Sequence, residues 1–432
     1  MTHSTNTDVN YKNKRRYNTA KYPIRQPLFF VGLIWLLSKI LLIGKKYKIE
    51  KVNMEGLKPP YMVLSNHMSF IDFELTAMVT LPHRVNNVVA LDGFYRRPWL
   101  MELIGSIPTR KFTNDINLIK SIYKVLKRGD VLCMYPEARY SPCGVHSYLP
   151  DSLGMLVKRA KVPVVTIIHK GNHLYAPFWN FRKKRKAPLH TTATQILTAE
   201  QISTMSADEI NAKLREALSY NEYDYQRDNG ILIKEKYRAE GLHKILYHCP
   251  ACNTESKMDS KGEELFCREC GKRWHFGEDG TLRALDGNTE FKQVPDWFAW
   301  EREQVKAQIE RGEYSFADDV EVYSQPRGLT FKHLGAAKIS HDAENGFILE
   351  GHHNGAPYYI QRTPIQHNSL HVEYDWCYVK PFDCFDISTE NDSFFCYPKQ
   401  QNVITKLAFA TEIIYAMHEQ RTLRTKRGAA QK

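Results

Sequence analysis

Apolar positions along the first half of the chain alternate between two periods. Short apolar runs at 61–64, 87–91, 131–135, 164–169 and 190–196 read as strands. Between and after them, segments 75–80, 99–104, 114–128, 153–160 and 207–221 read as helices, with 114–128 clearly amphipathic. Such alternation predicts an α/β sandwich around a mixed or mostly parallel sheet. The second half changes character. After an expected helix over 293–312, short alternating runs recur at 319–323, 328–333, 336–340, 346–350, 358–362, 369–374, 377–379 and 393–397. Gly, Asn and Pro separate them, as in a small antiparallel β-domain. An amphipathic helix over 402–421 closes the pattern, with Leu407, Ile413, Ile414, Ala416 and Met417 available for burial.

A chain of 432 residues exceeds one ordinary domain. The expected partition is a basic, disordered N-terminus (1–26), a membrane-associating helix (27–46), an α/β catalytic domain (47–226), a cysteine-rich ribbon (244–278), the β-rich domain (314–421) and a basic, disordered tail (422–432). The formal charge of +12 calls for an anionic partner. Lys12, Lys14, Arg15, Arg16, Lys21 and Arg25 precede the apolar stretch 27–44, and Lys45 and Lys46 follow it. Lys39 interrupts a stretch already borderline for a span. No small-residue cleavage site follows, which argues against a signal peptide. A helix lying in the membrane interface, with cations on anionic headgroups, fits better. A second basic run, Arg182-Lys183-Lys184-Arg185-Lys186, follows aromatic Phe178, Trp179 and Phe181 and suits the same interface or a solvated loop.

The candidate chemistry begins at Ser65-Asn66-His67-Met68-Ser69-Phe70-Ile71-Asp72. A histidine takes a proton at neutral pH, and a carboxylate fixes its tautomer. Residues five apart do not share a helix face. They converge if His67 lies in the loop after a strand and Asp72 in the first turn of the next helix. Ser69-x-x-Asp72 reads as a helix start of capping type. No serine or cysteine elbow adjoins the pair, so the base would act directly on a substrate hydroxyl.

Three further segments follow: Gly105-Ser106-Ile107-Pro108-Thr109-Arg110, Met134-Tyr135-Pro136-Glu137-Ala138-Arg139-Tyr140-Ser141, and Val162-Pro163-Val164-Val165-Thr166. Together with Asn66-His67-x-Ser69-x-x-Asp72 they resemble, in order and spacing, the four blocks of the glycerolipid (lysophosphatidate, or 1-acylglycerol-3-phosphate) acyltransferase family. The resemblance covers roughly 45–225. It implies an O-acyltransferase in phospholipid biosynthesis, moving a fatty acyl group from acyl-CoA or acyl-carrier protein to a lysophospholipid hydroxyl. It implies His67 as general base, Asp72 as its orienting partner, and Arg110 and Glu137 as substrate-binding residues. The third block departs from the family pattern. Ala138-Arg139-Tyr140 stands where Gly-Thr-Arg is usual, so Arg139 is the displaced candidate for the headgroup, and acceptor recognition is expected to differ. Alanine in place of glycine also disfavours positive φ there.

Nine cysteines, an odd number, point to a reducing compartment, hence the cytoplasmic face of the membrane. Cys249-x-x-Cys252 and Cys267-x-x-Cys270 have the spacing of two zinc knuckles, and four thiolates fill a tetrahedral, structural Zn2+ site. A ribbon this short would draw much of its folding energy from the metal. Seven or so strands followed by one helix resemble a pleckstrin-homology-like domain in element order. The alternative function is a scaffold that keeps the acyltransferase fold and binds a partner through the ribbon and β-domain. Nucleic acid is not an expected partner, because the ribbon itself carries Glu255, Asp259, Glu263, Glu264 and Glu269.

Overall fold

The structure is a computed structural model that describes residues 9–11, 17–113, 115–328, 330–376 and 379–430. Lys12, Lys14, Arg15 and Arg16, together with Cys377 of the strand expected at 377–379, lie outside the described residues.

The N-terminal half is a mixed α/β unit. Its elements in order are α1 (Leu28–Leu41), β1 (Tyr47–Val52), β2 (Met62–Ser65), α2 (Asp72–Thr80), β3 (Val85–Ala90), α3 (Pro98–Leu103), β4 (Ile107–Thr109), α4 (Ile116–Lys127), β5 (Val131–Met134), α5 (Ser152–Ala160), β6 (Val164–Lys170), α6 (Asn172–Tyr175), β7 (Leu189–Leu197), α7 (Ala199–Thr204), α8 (Ala207–Leu218) and α9 (Glu222–Asp228). The sheet runs β1-β7-β6-β2-β5-β3-β4, and only the β6–β7 pair is antiparallel. The central strands β2, β5 and β6 are buried on both faces, which is why their sequences are dominated by apolar residues. Their C-terminal ends point one way, and in an open parallel sheet the loops after those ends build the site.

A ribbon of four antiparallel strands follows: β8 (Met258–Lys261), β9 (Glu264–Cys267), β10 (Arg273–Phe276) and β11 (Leu282–Ala284). Helix α10 (Val294–Glu310) leads into β12 (Ser315–Ser324), β13 (Lys332–Asp342), β14 (Gly346–His353), β15 (Ala356–Arg362), β16 (His371–Trp376), β17 (Phe382–Ser388) and β18 (Ser393–Pro398). These form one antiparallel order, β15-β14-β13-β12-β18-β17-β16, and α11 (Ile404–Ala430) completes the chain. One apolar core runs from Phe178 and Trp179 of the first unit, through Met258, Leu265 and Trp274 of the ribbon, to Val322, Phe347 and Leu407 of the β-domain and its helix. The ribbon therefore shares its core with both neighbours instead of standing alone.

Two expected disordered ends differ from the structure. The described part of 1–26 is docked: Tyr17 donates to Glu102 at 2.8 Å, Arg25 pairs with Asp130 at 3.0 Å, and the buried Gln26 accepts from the Val85 amide at 3.0 Å. The backbone of the tail is helical as far as Ala430, where α11 ends. Gly335, whose φ of +96° suited the reading of a turn, instead sits inside β13 at a bulge opposite Val322 and Tyr323, so two expected strands are one.

Candidate active site

The loop between β2 and α2 carries His67, and its shape is set by side chains on neighbouring strands. Asn66 reaches β6 with both ends of its amide: Nδ2 donates to the His169 carbonyl at 3.1 Å, and Oδ1 accepts from the His169 amide at 2.8 Å. Asp72 is fully buried at the first position of α2. One of its oxygens accepts from His67 Nδ1 at 3.0 Å and from the amides of Met68 and Ser69 at 2.6 and 3.0 Å. The other accepts from Asn172 Nδ2 at 2.7 Å. Sequence spacing thus placed the pair correctly, with His67 in a post-strand loop and Asp72 in the next helical turn. The expected capping by Ser69 is not made. The N-cap, Ile71, has no side-chain bond, and Ser69 Oγ is buried without a partner among the described residues.

Bonding through Nδ1 fixes the tautomer that leaves a lone pair on Nε2. Two tyrosines hold the ring. Tyr135, at the end of β5, lies 4.0 Å away centroid to centroid, and Tyr140 lies at 3.8 Å. Burial lowers the His67 pKa below its ordinary value and outweighs the pull of Asp72, so the imidazole is neutral at neutral pH. Burial works against the charge on Asp72, but His169, His67 and the Asn172 amide outweigh it and hold this carboxyl below its usual range.

The loop after β5 carries Glu137, Ala138, Arg139 and Tyr140, and binds the first loop directly through the Ser141 amide on the His67 carbonyl at 2.7 Å. Glu137 is buried, accepts from the Ser147 amide at 2.8 Å, and is pushed up by burial to about 7. Ala138 adopts φ +54°, so the alanine takes the left-handed conformation it was expected to avoid. Tight packing of Tyr140 on His67 and of the Ser141 amide on this loop fixes that conformation. Ala138→Gly is expected to raise the unfolding free energy by about 1 kcal/mol, measurable by urea denaturation; an unchanged midpoint would show that the turn is unstrained.

These loops open onto a cavity of about 1290 Å³. That exceeds the roughly 300–1,000 Å³ of ordinary small-molecule pockets and suits a lipid-sized ligand. One wall is apolar and comes from β3, α4 and α5, including Val88, Leu118, Ile122, Leu153 and Leu156. A second wall comes from the β-domain and α11, including Ser369, Glu373, Glu412 and Tyr415. Leu41 and Lys45 of the α1 end and Phe181, Arg182 and Lys184 form a third. His67, Arg110, Glu137 and Arg139 all line this space. The two arginines, however, have their guanidinium groups on the β-domain. Arg110 donates to Ser393 Oγ at 3.0 Å and to the Asn391 and Gln325 carbonyls at 3.1 and 3.4 Å. Arg139 Nη1 lies 2.6 Å from Glu412 and 3.2 Å from Ser369 Oγ. Sequence reasoning missed Tyr135, Asn172, Lys111 and Glu373. Tyr135 lies inside one of the quoted blocks and was within reach. Asn172 and Glu373 stand far along the chain from His67, with no local pattern to mark them.

The four ribbon cysteines meet as the spacing predicted. Their sulfur atoms lie within 4.8 Å of one another, with Cys249–Cys270 and Cys252–Cys267 at 3.8 Å. Four sulfurs at about 2.3 Å from one zinc, tetrahedrally arranged, stand about 3.8 Å apart. Each knuckle turns through a residue of positive φ, Asn253 (+58°) and Gly271 (+77°), whose amides donate to Cys249 and Cys267 carbonyls at 2.9 and 3.0 Å. The cluster fits a closed metal site, with no position left for a substrate. The other described cysteines, Cys133, Cys143, Cys384 and Cys396, are buried and outside it.

Residues 45–170 match the family model described as Acyltransferase. No curated protein matches the chain. Among solved structures, the chain is similar to the 1-acyl-sn-glycerophosphate (LPA) acyltransferase PlsC from Thermotoga maritima, with 14% identity over 44% of this chain and 77% of that one, at a TM-score of 0.36. A likeness that distant says nothing about the substrate of this chain.

Proposed function

We propose that this protein is an O-acyltransferase working at a membrane surface, moving a fatty acyl group from a thioester donor (acyl-CoA or acyl-carrier protein) to a hydroxyl of a monoacyl glycerolipid, the class that includes lysophosphatidate. The observation that carries this reading is the His67 imidazole, bonded to buried Asp72, clamped between two tyrosines and facing a half-apolar cavity of lipid size. In the proposed reaction the acceptor oxygen attacks the thioester carbonyl carbon while Nε2 takes the hydroxyl proton. Asp72 stabilises the imidazolium that forms. The tetrahedral adduct collapses, the C–S bond breaks, and the leaving thiolate takes the proton back from Nε2. Substrate is positioned by its acyl chain on the apolar wall, which holds the hydroxyl near the carbonyl. The scaffold alternative has no observation in its favour at this site, since the base and its carboxylate stand in bonding geometry.

The test is acyl transfer from labelled acyl-CoA to monoacyl glycerolipids presented in vesicles, with the diacyl product identified by mass. A neutral imidazole is the active form, so kcat/KM is expected to stay level above about pH 7. It should fall only at pH below the ordinary histidine range, as His67 gains its proton. No diacyl product from any acceptor, or an acid limb centred well above pH 7, would refute the mechanism.

Membrane contact is supported by α1. This helix has 14 residues, of which Ser38 alone is buried. Phe29, Leu36, Leu37, Ile40 and Leu41 are 49–72% exposed, and Ile43 just beyond is 74% exposed. Among the described residues no helix is long and apolar enough to cross a membrane. An exposed apolar face beside Lys39, Lys45 and Lys46 suits a helix lying in the interface of an anionic bilayer. Replacing Phe29, Ile40 and Ile43 together by serine is expected to lower partitioning onto anionic vesicles by about 100-fold. Unchanged co-sedimentation would remove α1 from the membrane.

A further inference from the structure

The β-domain does more than cover the cavity, because it changes which charges the cavity offers. Arg110 and Arg139, the cations implied for an acceptor phosphate, are bonded to Ser393, Asn391 and Gln325, and to Glu412 and Ser369. Lys111, the next residue along, lines the cavity with its ammonium beside His371, itself held cationic by Asp386 and Glu373. Lys45 is half-buried, and Arg182 and Lys184 are exposed on a surface loop. What the β-domain brings in is a carboxylate. Glu373, on β16, is 5% exposed and lines the same cavity as His67. Its Oε1 lies 3.2 Å from His371 Nε2, and its Oε2 has no hydrogen-bond partner among the described residues. Ser69 Oγ, also buried and lining the cavity, is likewise without one. Glu373 and His67 line one continuous cavity. A carboxylate oxygen only accepts hydrogen bonds and repels a second anion.

We propose that Glu373 reads the acceptor headgroup, and that this headgroup presents hydrogen-bond donors, hydroxyl or ammonium, instead of a phosphomonoester. The inference rests on the O-acyltransferase reading and narrows its acceptor. Arg110 and Arg139 become the staples that seat the β-domain, and Glu373 takes over recognition, with Ser69 lining the same cavity. The departure of the third block from Gly-Thr-Arg and the β-domain are then two parts of one change. The arginine of that block pairs with Glu412 of α11, and a carboxylate from β16 occupies the cavity.

The experiment uses the full-length protein with labelled acyl-CoA and three acceptors of equal chain length: lysophosphatidate, monoacylglycerol and lysophosphatidylethanolamine. Wild type is expected to show kcat/KM at least about 10-fold higher on one of the two donor-bearing acceptors than on lysophosphatidate. Glu373→Gln is expected to shrink that ratio by about 10-fold. The ratio does not depend on the folded fraction, so partial misfolding of the variant leaves it readable, and the wild-type ratio decides the matter by itself if the variant is inactive. Glutamine keeps an acceptor oxygen but loses the charge, so an ammonium headgroup should lose more than a hydroxyl headgroup. Wild type preferring lysophosphatidate, or an unchanged ratio in Glu373→Gln, overturns the inference and leaves acyl transfer standing. No acylation of any of the three overturns both.

Discussion

His67→Ala is expected to lower kcat/KM for acyl transfer by about 1,000-fold while leaving the protein folded. The size follows from the role: a positioned base contributes roughly 10²–10⁴-fold. The fold should tolerate the change. Asp72 keeps three donors, the Met68 and Ser69 amides and Asn172 Nδ2, so its buried charge stays satisfied. What is lost is ring stacking with Tyr135 and Tyr140, about 1–2 kcal/mol. Asp72→Asn should behave differently. It frees the imidazole to take the wrong tautomer and also weakens a buried network, so activity and stability should fall together. Steady-state kinetics with a thermal melt on each variant separates the two. Turnover of His67→Ala within about 10-fold of wild type would end the proposed mechanism.

The second large effect is expected from the metal. Protein purified without chelator should contain one zinc per chain by elemental analysis, and Cys249→Ser with Cys267→Ser should abolish it. A closed four-thiolate site contributes folding energy directly, up to about 10 kcal/mol or more in isolated zinc peptides. In this chain the loss should spread beyond the ribbon. Met258, Leu265 and Trp274 belong to the same core as Trp297 of α10 and Leu407 of α11, and Phe298 of α10 packs edge-on against Phe409 at 4.6 Å. Loosening that core releases the wall carrying Ser369, Glu373 and Glu412. Metal loss should therefore lower the melting temperature strongly and reduce acyl transfer, although the zinc touches no substrate. A metal-free preparation with four reactive thiols and an unchanged melting temperature would defeat the assignment.

Local signals made much of the molecule legible. The strands β2, β5 and β6 were readable because each is buried on both faces and is therefore mostly apolar. His67 and Asp72 were readable because the contact joins a loop to the helix it enters, five residues away. The knuckles were readable because two thiolates on one turn need a fixed spacing. Strand β17 was missed for an equally physical reason. It is buried almost throughout yet carries Asp383, Cys384, Asp386 and Ser388, whose polar groups are satisfied by Lys244, His371 and Ser393, so no apolar alternation marks it. The glycine within β13 was misleading because a bulge and a turn ask for the same positive φ.

The sequence by itself determined the His67–Asp72 pair, the four-cysteine cluster, the α/β character of the first unit and the β-rich character of the last. Each depends on residues within one turn, one strand or one knuckle. Tertiary structure alone decided what the arginines do and what the cavity offers a substrate. Arg110 meets Ser393 across 283 residues, and Arg139 meets Ser369 across 230. Whether a guanidinium faces a ligand or a neighbouring domain depends on which surface folds back onto it, and no periodicity along the chain encodes that. A buried charge must find its partner somewhere. Here Arg110 finds its partner in Ser393 of the β-domain and Arg139 in Glu412 of α11.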